Sequence, residues 1–313
     1  MKLLKNLLLW LLALTITYGI AKYQKRMGPS YPIEGKAALG THIVEFCLER
    51  THGGMGDHRV SIAVPDPTVT GWVLWKRYKL DEPTQVLQMQ WSTDTKTGQG
   101  ILLAFLPHQP PAGKLEYQVE LCLGDERLLL PKDEPAVVRF KGDVPGWVLL
   151  THIVLLFGAL FVGMRAVFSA VLGHKVKTLA WVTFVLIFAG GLIFGPIVQK
   201  YAFGAYWTGW PFGGDLTDNK TTVMALGWLV AVWMLRGRDG ERRGRWWVAA
   251  ATVLMFAVYL IPHSMRGSEL DYSALPPDSL AKFGDSRQVM DTSGTAVITQ
   301  ASERLDDSSN LEK

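Results

Sequence analysis

The sequence is poor in the residues and motifs that mark common soluble enzymes. Its 313 residues include only two cysteines, Cys47 and Cys122, which are too few for a disulfide scaffold and wrongly spaced for a zinc site. It has no internal repeat, no phosphate-loop pattern and no nucleophile–base motif, so an enzyme is not the expected function. The long apolar runs carry almost no charge, which argues against a transport pathway through them.

What the sequence does have is clustered apolar residues. Hydrophobic residues make up 49% of the chain, and the mean hydropathy is +0.15. Because these residues are concentrated in long runs, the composition is typical of a membrane protein. The net charge is only +4. We therefore expect the lipid bilayer and a protein of the bacterial cell envelope as partners, and no nucleic acid.

Residues 1–29 contain the first apolar run and are predicted to be a signal peptide or an N-terminal transmembrane anchor. Gly19 and Ala21 form only a weak cleavage site and the apolar core is short, which favours the uncleaved anchor. Basic residues flank the run on both sides: Lys2 and Lys5 before it, and Lys22, Lys25 and Arg26 after it. On a simple charge count the second group opposes export.

Residues 30–145 are predicted to form an exported all-β, sandwich-like domain. About seven short runs of alternating polarity are separated by Gly, Pro and Asp, as in a β-sandwich. Cys47 shares a strand face with Glu45 and Glu49, and Cys122 likewise lies on a polar face. This parity argues against a core disulfide. An exposed disulfide and two free thiols both remain open.

One glycine-rich segment of this domain brings possible metal ligands together. His52, Asp57 and His58 lie within a predicted hairpin. A metal site is one interpretation, but the ligand spacing is not strict, and a glycine-rich turn with polar flanks is favoured. His42 and His108 have no evident partners in the sequence.

Residues 146–263 are predicted to form a four-helix transmembrane domain, with spans at about 147–171, 178–199, 221–235 and 246–262. Two basic turns, Arg165 to Lys177 and the arginine-rich 236–245, are placed on the cytoplasmic side by the positive-inside rule. The domain at 30–145, loop 200–220 and the C-terminus would then face outward from a bacterial inner membrane.

The C-terminal residues 264–313 are polar and acidic, and we predict a mostly disordered outer tail. Within it, Leu270, Tyr272 and Leu275 are candidates to pack back near the membrane.

The outer loop 200–220 concentrates aromatic and polar side chains. His152 and His263 are predicted to lie at the same membrane level, where they could ligate a b-type haem axially, with the loop covering its edge. An ordinary aromatic belt with two interfacial histidines is the alternative. The candidate cofactor-binding residues are Tyr206, Trp207, Trp210, Asp215, His152 and His263, the two histidines being the candidate ligands of the haem iron.

The carboxylates of the loop have other possible roles. Asp215 and Asp218 could bind a hard cation, although the segment offers too few ligands. Asp218 or Asn219 could instead cap a helix that begins near Thr221. Lys220 would then contact lipid headgroups.

Residues 203–235 resemble the tryptophan-rich, outward-facing loop of haem-handling membrane proteins of cytochrome c biogenesis. Gly204, Tyr206, Trp207 and Trp210 match that loop in kind, and Asp215 stands where the family has an aspartate. The family's outward histidines flank its loop in sequence, as His152 and His263 do here. The family's Asp-Pro-x-Glu core is absent, and the resemblance does not extend to residues 30–145.

These observations lead to two hypotheses. The first is a haem- or quinone-associated membrane protein of the bacterial envelope that acts in electron transfer or cytochrome assembly, as the resemblance implies. The second is a non-catalytic membrane scaffold or accessory subunit whose β-domain binds an envelope partner.

Overall fold

The computed structural model describes residues 2–94, 97–237, 239–262, 269–276, 278, 280 and 283. The chain folds into two compact units. The helical unit comprises Met1–Tyr31 and Val144–Ser268, and the β unit comprises Pro32–Asp143 and Glu269–Lys313. The described residues from 269 onward therefore belong with the strands, although they follow the last helix in sequence.

Alternating short runs build the β unit, as the sequence predicts. Its described strands are β1 (Ile33–Leu39), β2 (His42–Leu48), β3 (Thr51–Gly53), β4 (His58–Ala63), β5 (Thr70–Arg77), β6 (Gln85–Gln88), β7 (Gln90–Thr93), β8 (Gly100–Leu106), β9 (Lys114–Leu123), β10 (Glu126–Leu130) and β11 (Ala136–Lys141).

The strands form three sheets around one apolar core. β1 and β2 make a two-stranded sheet, β4, β8 and β7 a three-stranded sheet, and the largest has the order β3-β11-β9-β5-β6, with β10 also paired to β9. The apolar run at 86–91 divides at Met89. β6 pairs with β5 and β7 pairs with β8, so this segment passes from one sheet to another.

The core of the β unit follows the predicted period of two. On β9, Leu115, Tyr117, Val119 and Leu121 are all buried, because alternate side chains of a strand point to the same face. The sandwich-like prediction is confirmed at this level. Both cysteines are free thiols; Cys47 is exposed and Cys122 is half-buried.

The helical unit contains six described α-helices. They are α1 (Lys2–Met27), α2 (Gly146–Val171), α3 (Lys177–Ile187), α4 (Gly195–Phe203), α5 (Leu216–Met234) and α6 (Gly240–Leu260). A π-helical segment, Phe188–Phe194, joins α3 to α4. Three helices are long and apolar enough to cross a membrane: Lys2–Met27, Gly146–Val171 and the continuous Lys177–Phe203.

Two helix boundaries differ from those predicted. α5 begins at Leu216 rather than near Thr221, and its first turn is polar. α6 begins at Gly240, so Arg242, Arg243 and Arg245 belong to the helix. Neither α5 nor α6 is among the three helices that meet the length and hydropathy needed to cross a membrane, because each begins with polar residues.

Part of the basic turn predicted at Arg165 to Lys177 is helical. Arg165 was expected in a basic turn, but it lies inside α2 with only 6% of its surface exposed. The turn between α2 and α3 is shorter than predicted.

Glu241 of α6 accepts hydrogen bonds from the backbone N–H groups of Val176 and Lys177 at 2.9 and 3.2 Å. This carboxylate satisfies donors that the start of α3 would otherwise leave free.

Small residues line the contacts among the helices. Ala159, Ala166, Ala180, Ala225 and Ala251 are all buried in the core of the unit. Side chains of this size allow helix backbones to approach closely. At Gly191, in the π-helical segment, a Cβ atom would collide with the side chain of Thr221. The segment therefore packs against α5 at a distance that only glycine permits.

Candidate functional site

The aromatic loop, defined here as residues 204–215, joins α4 to α5. α4 ends at Phe203 and is capped by Gly204, whose φ of 84° lies in the left-handed region that favours glycine. The outer segments of the predicted loop 200–220 are helical, because residues 200–203 complete α4 and residues 216–220 open α5. The loop is consequently short and lies over the first turn of α5.

Asp218 fastens the loop to that turn. Its carboxylate accepts hydrogen bonds from the backbone N–H groups of Thr208 at 2.7 Å and Gly209 at 2.9 Å. Asn219 accepts a third, from the Trp210 N–H at 2.8 Å. A Cβ atom on Gly209 would lie 2.6 Å from Cβ of Asp218. Three consecutive loop amides are thus satisfied by α5 side chains, and glycine permits the close approach.

Asp215 caps α5. Its side chain accepts a hydrogen bond from the Thr217 N–H at 2.7 Å, and its second oxygen accepts from the Thr208 hydroxyl at 3.0 Å. A side-chain oxygen at this position satisfies a free donor of the first helical turn. The expectation that Asp218 or Asn219 caps a helix near Thr221 is wrong. The cap is Asp215, and the other two side chains hold the loop.

Lys220 is buried rather than directed to lipid headgroups. Its Nζ donates to the carbonyl oxygens of Ile261 at 2.9 Å and Pro262 at 2.8 Å. These carbonyls follow α6, where a helix leaves acceptors unsatisfied and its dipole favours a cation. Lys220 therefore ties the start of α5 to the end of α6.

The aromatic side chains of the loop differ in exposure. Trp210 is 77% exposed and Tyr206 60% exposed, whereas Trp207 is half-buried. The Trp207 indole N–H donates to the Trp210 carbonyl at 3.2 Å, and the Lys200 ammonium lies 5.5 Å from the Tyr206 ring centroid. The four predicted cofactor-binding residues of the loop thus share one segment, but Asp215 already serves as a helix cap.

His152 packs against the π-helical segment. Its Nδ1 lies 2.8 Å from the carbonyl oxygen of Gly190. A π-helical turn leaves its carbonyls displaced from the regular ladder and is frequent at functional sites. Among the described residues, no hydrogen bond or ring contact joins His152 to the aromatic loop. His263, its predicted partner, lies outside the described residues.

A different group of histidines meets in the β unit. The ring centroids of His52 and His58 are 5.4 Å apart, and those of His52 and His108 are 6.5 Å apart. All three rings also contact Phe140, at 5.2–6.4 Å between centroids. His108 approaches through the backbone, where its N–H donates to Asp57 at 2.8 Å. We call His52, His58, His108 and Asp57 the histidine cluster.

The sequence places three members of the histidine cluster close together but not the fourth, His108. His52, Asp57 and His58 are neighbours in the chain, but no sequence signal connects them to His108. The pairing of β4 with β8 places His58 opposite Leu106, which brings His108 to the same end of the sheet. No group of three or more His, Cys, Asp or Glu residues in the described part of the chain is arranged to hold a metal ion.

Burial controls the charge of the histidine cluster. The His58 ring is 3% exposed, and its Nε2 has no hydrogen-bond partner. Burial, with repulsion from His52, lowers the pKa of His58 to about 4. Burial also lowers the pKa of His108 and raises that of Asp57. Burial therefore disfavours the charged forms of His58, His108 and Asp57.

The described part of the predicted tail lies on the β unit. The Tyr272 hydroxyl accepts from the Lys114 N–H at 2.9 Å and donates to the Lys114 carbonyl at 3.1 Å. Glu269 bonds both Lys79 and Lys114, at 2.7 and 2.5 Å. Burial alone would raise the Glu269 pKa, but the two lysines lower it overall.

Farther along, two carbonyl groups of the tail meet side chains of the β unit. Arg77 donates to the Leu280 carbonyl and Gln109 to the Phe283 carbonyl, both at 2.7 Å. We call the described residues within 269–283 the C-terminal strap. Leu270 also bonds the β unit, donating its N–H to Ala112 at 3.1 Å. Leu270 and Tyr272 therefore belong to the β unit.

No protein-family model matches the chain, and no curated protein sequence matches it. One solved structure found in the comparison is described as "Structure of Astrotactin-2, a conserved vertebrate-specific and perforin-like membrane protein involved in neuronal development". Its identity to this chain is 8%, and the TM-score is 0.23. The match covers 76% of this chain and 37% of that one. A likeness at this level carries no argument about fold or function.

Proposed function

We propose that the chain is a membrane-anchored scaffold or accessory subunit of the bacterial cell envelope. The helical unit is the anchor, and the β unit, held on the outer side of the inner membrane, binds a protein partner. The orientation rests on the arginine-rich segment at 236–245 and the positive-inside rule. In this proposal α5 and α6 complete a bundle with the helices of span length.

One observation carries this proposal: the polar side chains of the helical unit are used to join its own elements. Asp218 and Asn219 accept hydrogen bonds from the aromatic loop, and Lys220 donates to a carbonyl that follows α6. Glu241 accepts from a backbone N–H at the start of α3. Groups committed in this way stabilise a fixed arrangement of helices. A rigid anchor is the role that such an arrangement supports best.

The orientation can be tested with the natural thiols. Cys47 is exposed in the β unit, so a membrane-impermeant maleimide should label it in intact spheroplasts. The matched control is Arg242→Cys in a chain lacking both natural cysteines, which should be labelled only after permeabilisation. Labelling with the opposite pattern would overturn the proposed orientation.

Partner binding can be tested at the free side of β6, the last strand of the largest sheet. Sheet edges offer unpaired backbone groups to a strand of another protein. A photo-crosslinking residue at Val86, which is 61% exposed, should give one discrete adduct in native membranes. Met55, 74% exposed in a turn, is the control position. Equal, diffuse crosslinking at both positions would contradict a specific partner on this edge.

A second candidate function, association with haem or a quinone in electron transfer or cytochrome assembly, is favoured by the geometry of His152. Ligating histidines usually donate one ring N–H to a carbonyl, as the contact with Gly190 allows, and bind the metal through the other nitrogen. Trp207, Trp210, Tyr206 and Asp215 would shape the pocket, as the resemblance of 203–235 implies.

The absorption spectrum of the purified full chain tests this second candidate. A Soret band that disappears in His152→Ala would support haem b and identify an axial ligand. The control is His42→Ala in the β unit. A colourless protein purified from cells with ample haem would exclude haem and leave the scaffold function.

A further inference from the structure

The last turns of α1 line an open groove in the helical unit. Its volume is about 670 Å³. Aromatic side chains from three helices form part of its wall: Tyr18 of α1, Phe157 of α2 and Tyr259 of α6. The rings of Phe157 and Tyr259 meet edge to face, with centroids 6.3 Å apart. The groove thus has a packed aromatic wall formed by neighbouring helices.

Three cations line the same groove. Lys22, Lys25 and Arg26 are spaced at i, i+3 and i+4, which places them on one face of α1. Like charges at this spacing repel one another. In the part of the chain that the structure describes, no carboxylate forms an ion pair with any of them. An anion in the groove would therefore remove an existing repulsion.

An apolar surface of α1 lies on the N-terminal side of the groove. N-terminal to Tyr18, α1 presents exposed leucines, among them Leu11 and Leu14 at 50% and 52%. α1 is itself one of the three helices long and apolar enough to cross a membrane. A ligand that follows this surface would place its apolar part beside the leucines and its anionic part at the lysines. That is the order of groups in a phospholipid.

We propose that this groove binds the headgroup of an anionic phospholipid of the surrounding bilayer. Lys22, Lys25 and Arg26 hold the phosphate, and the aromatic wall contacts the upper part of the acyl chains. The site also accounts for three cations at a helix end where the positive-inside rule disfavours them. It rests on the membrane embedding of the helical unit, but not on the partner of the β unit or on haem.

Reconstituted full-length protein provides the test. The chain is placed in nanodiscs of phosphatidylcholine with a minor fraction of phosphatidylglycerol, and the lipid retained after gentle extraction is measured by native mass spectrometry. The unmodified protein should retain phosphatidylglycerol in excess over its bulk fraction. Each cation removed from the groove should reduce this enrichment about fivefold, the effect expected for one juxtamembrane charge.

The matched variants are two double substitutions on α1. Lys22→Gln with Lys25→Gln should abolish the enrichment, whereas Lys2→Gln with Lys5→Gln, at the other end of the helix, should leave it. Equal losses in both variants would show general surface attraction and overturn the site. Displacement of the lipid by an equal concentration of inorganic phosphate would overturn it in favour of a free anion.

A third variant guards against a loss of folding. Phe157→Leu keeps every charge but alters the wall, and it should weaken retention while the elution volume of the protein is unchanged. If the unmodified protein enters nanodiscs without any lipid enrichment, the headgroup site is wrong and the membrane anchor stands. If the protein fails to enter nanodiscs, the proposed function is wrong as well.

Discussion

The Nη2 group of Arg165 donates a hydrogen bond to Oδ1 of Asn6 at 2.6 Å. This contact joins α2 to the N-terminal half of α1. Trp10 supports it, with its ring 5.5 Å from the Arg165 guanidinium and 4.9 Å from the centroid of Phe161. Because Asn6 meets Arg165 and Trp10 meets Phe161, the two helices run antiparallel. A buried guanidinium in an apolar helix needs such partners, so we expect α1 to be retained.

The first prediction concerns this contact. Asn6→Leu should destabilise the helical unit by about 1.5–3 kcal/mol, since it leaves a charged donor without its acceptor. The measurement is the thermal unfolding of the full chain in detergent. Thr15→Ala on the same helix is the control, because the Thr15 hydroxyl donates to the carbonyl of Leu11 within α1. In a chain that also carries Arg165→Met, Asn6→Leu should cost much less, and an undiminished cost would contradict the pairing.

A second prediction ranks the residues that hold the aromatic loop. Asp218→Ala should loosen the loop more than Asn219→Ala, because it leaves two loop amides unpaired instead of one. The expected difference is about 1–3 kcal/mol. Hydrogen exchange at Thr208, Gly209 and Trp210 would measure it. Equal exchange rates in the two variants would show that the loop is held by other contacts.

The third prediction is a pH dependence of the β unit. The folded-state pKa of His58, about 4, lies below its unfolded value of about 6.5. The unfolded state therefore binds more protons between these values. Stability is retained above about pH 6.5 and is lost as the pH falls towards 4, by ~3 kcal/mol in total. Urea unfolding of the full chain, monitored by proteolysis of the β unit, would show this loss.

His58→Phe is the variant that tests the assignment. It keeps an aromatic ring against Phe140 and Tyr117 but cannot bind a proton, so the loss of stability with falling pH should be much smaller. The groups facing His58 and its neighbours contribute as well. His108, with its lowered pKa, acts in the same direction, and Asp57, with its raised pKa, acts in the opposite one. An unchanged pH profile in His58→Phe would exclude His58 as the main cause.

The fourth prediction concerns the C-terminal strap. Tyr272→Phe removes the hydroxyl that bonds the backbone of Lys114 twice. It should destabilise the strap by about 1–2 kcal/mol and speed its proteolytic removal from the full chain. Ser273→Ala, which loses an exposed local hydrogen bond to Asp271, is the matched control. Identical proteolysis of the two variants would contradict a specific role for Tyr272.

How far the sequence predicts this structure depends on the range of each interaction. The strands of the β unit and the apolar helices follow from local periodicity, as β9 and α2 show. The aromatic loop also follows, because its glycines and aromatics interrupt two apolar runs. The roles of Asp218, Asn219 and Lys220 do not follow from the sequence. An acidic or amide residue near the start of a helix is equally compatible with a helix cap, a ligand and an exposed group.

The sequence by itself determined the alternation that buries one face of each strand, the outward direction of Cys47, and the long apolar helices. These depend on residue spacing alone, because a strand repeats every two residues and a helix every 3.6. Only the tertiary structure decided that Arg165 pairs with Asn6, that His108 joins His52 and His58, and that the strap lies on the β unit. Those contacts join residues far apart in the chain, so residue spacing along the sequence does not predict them.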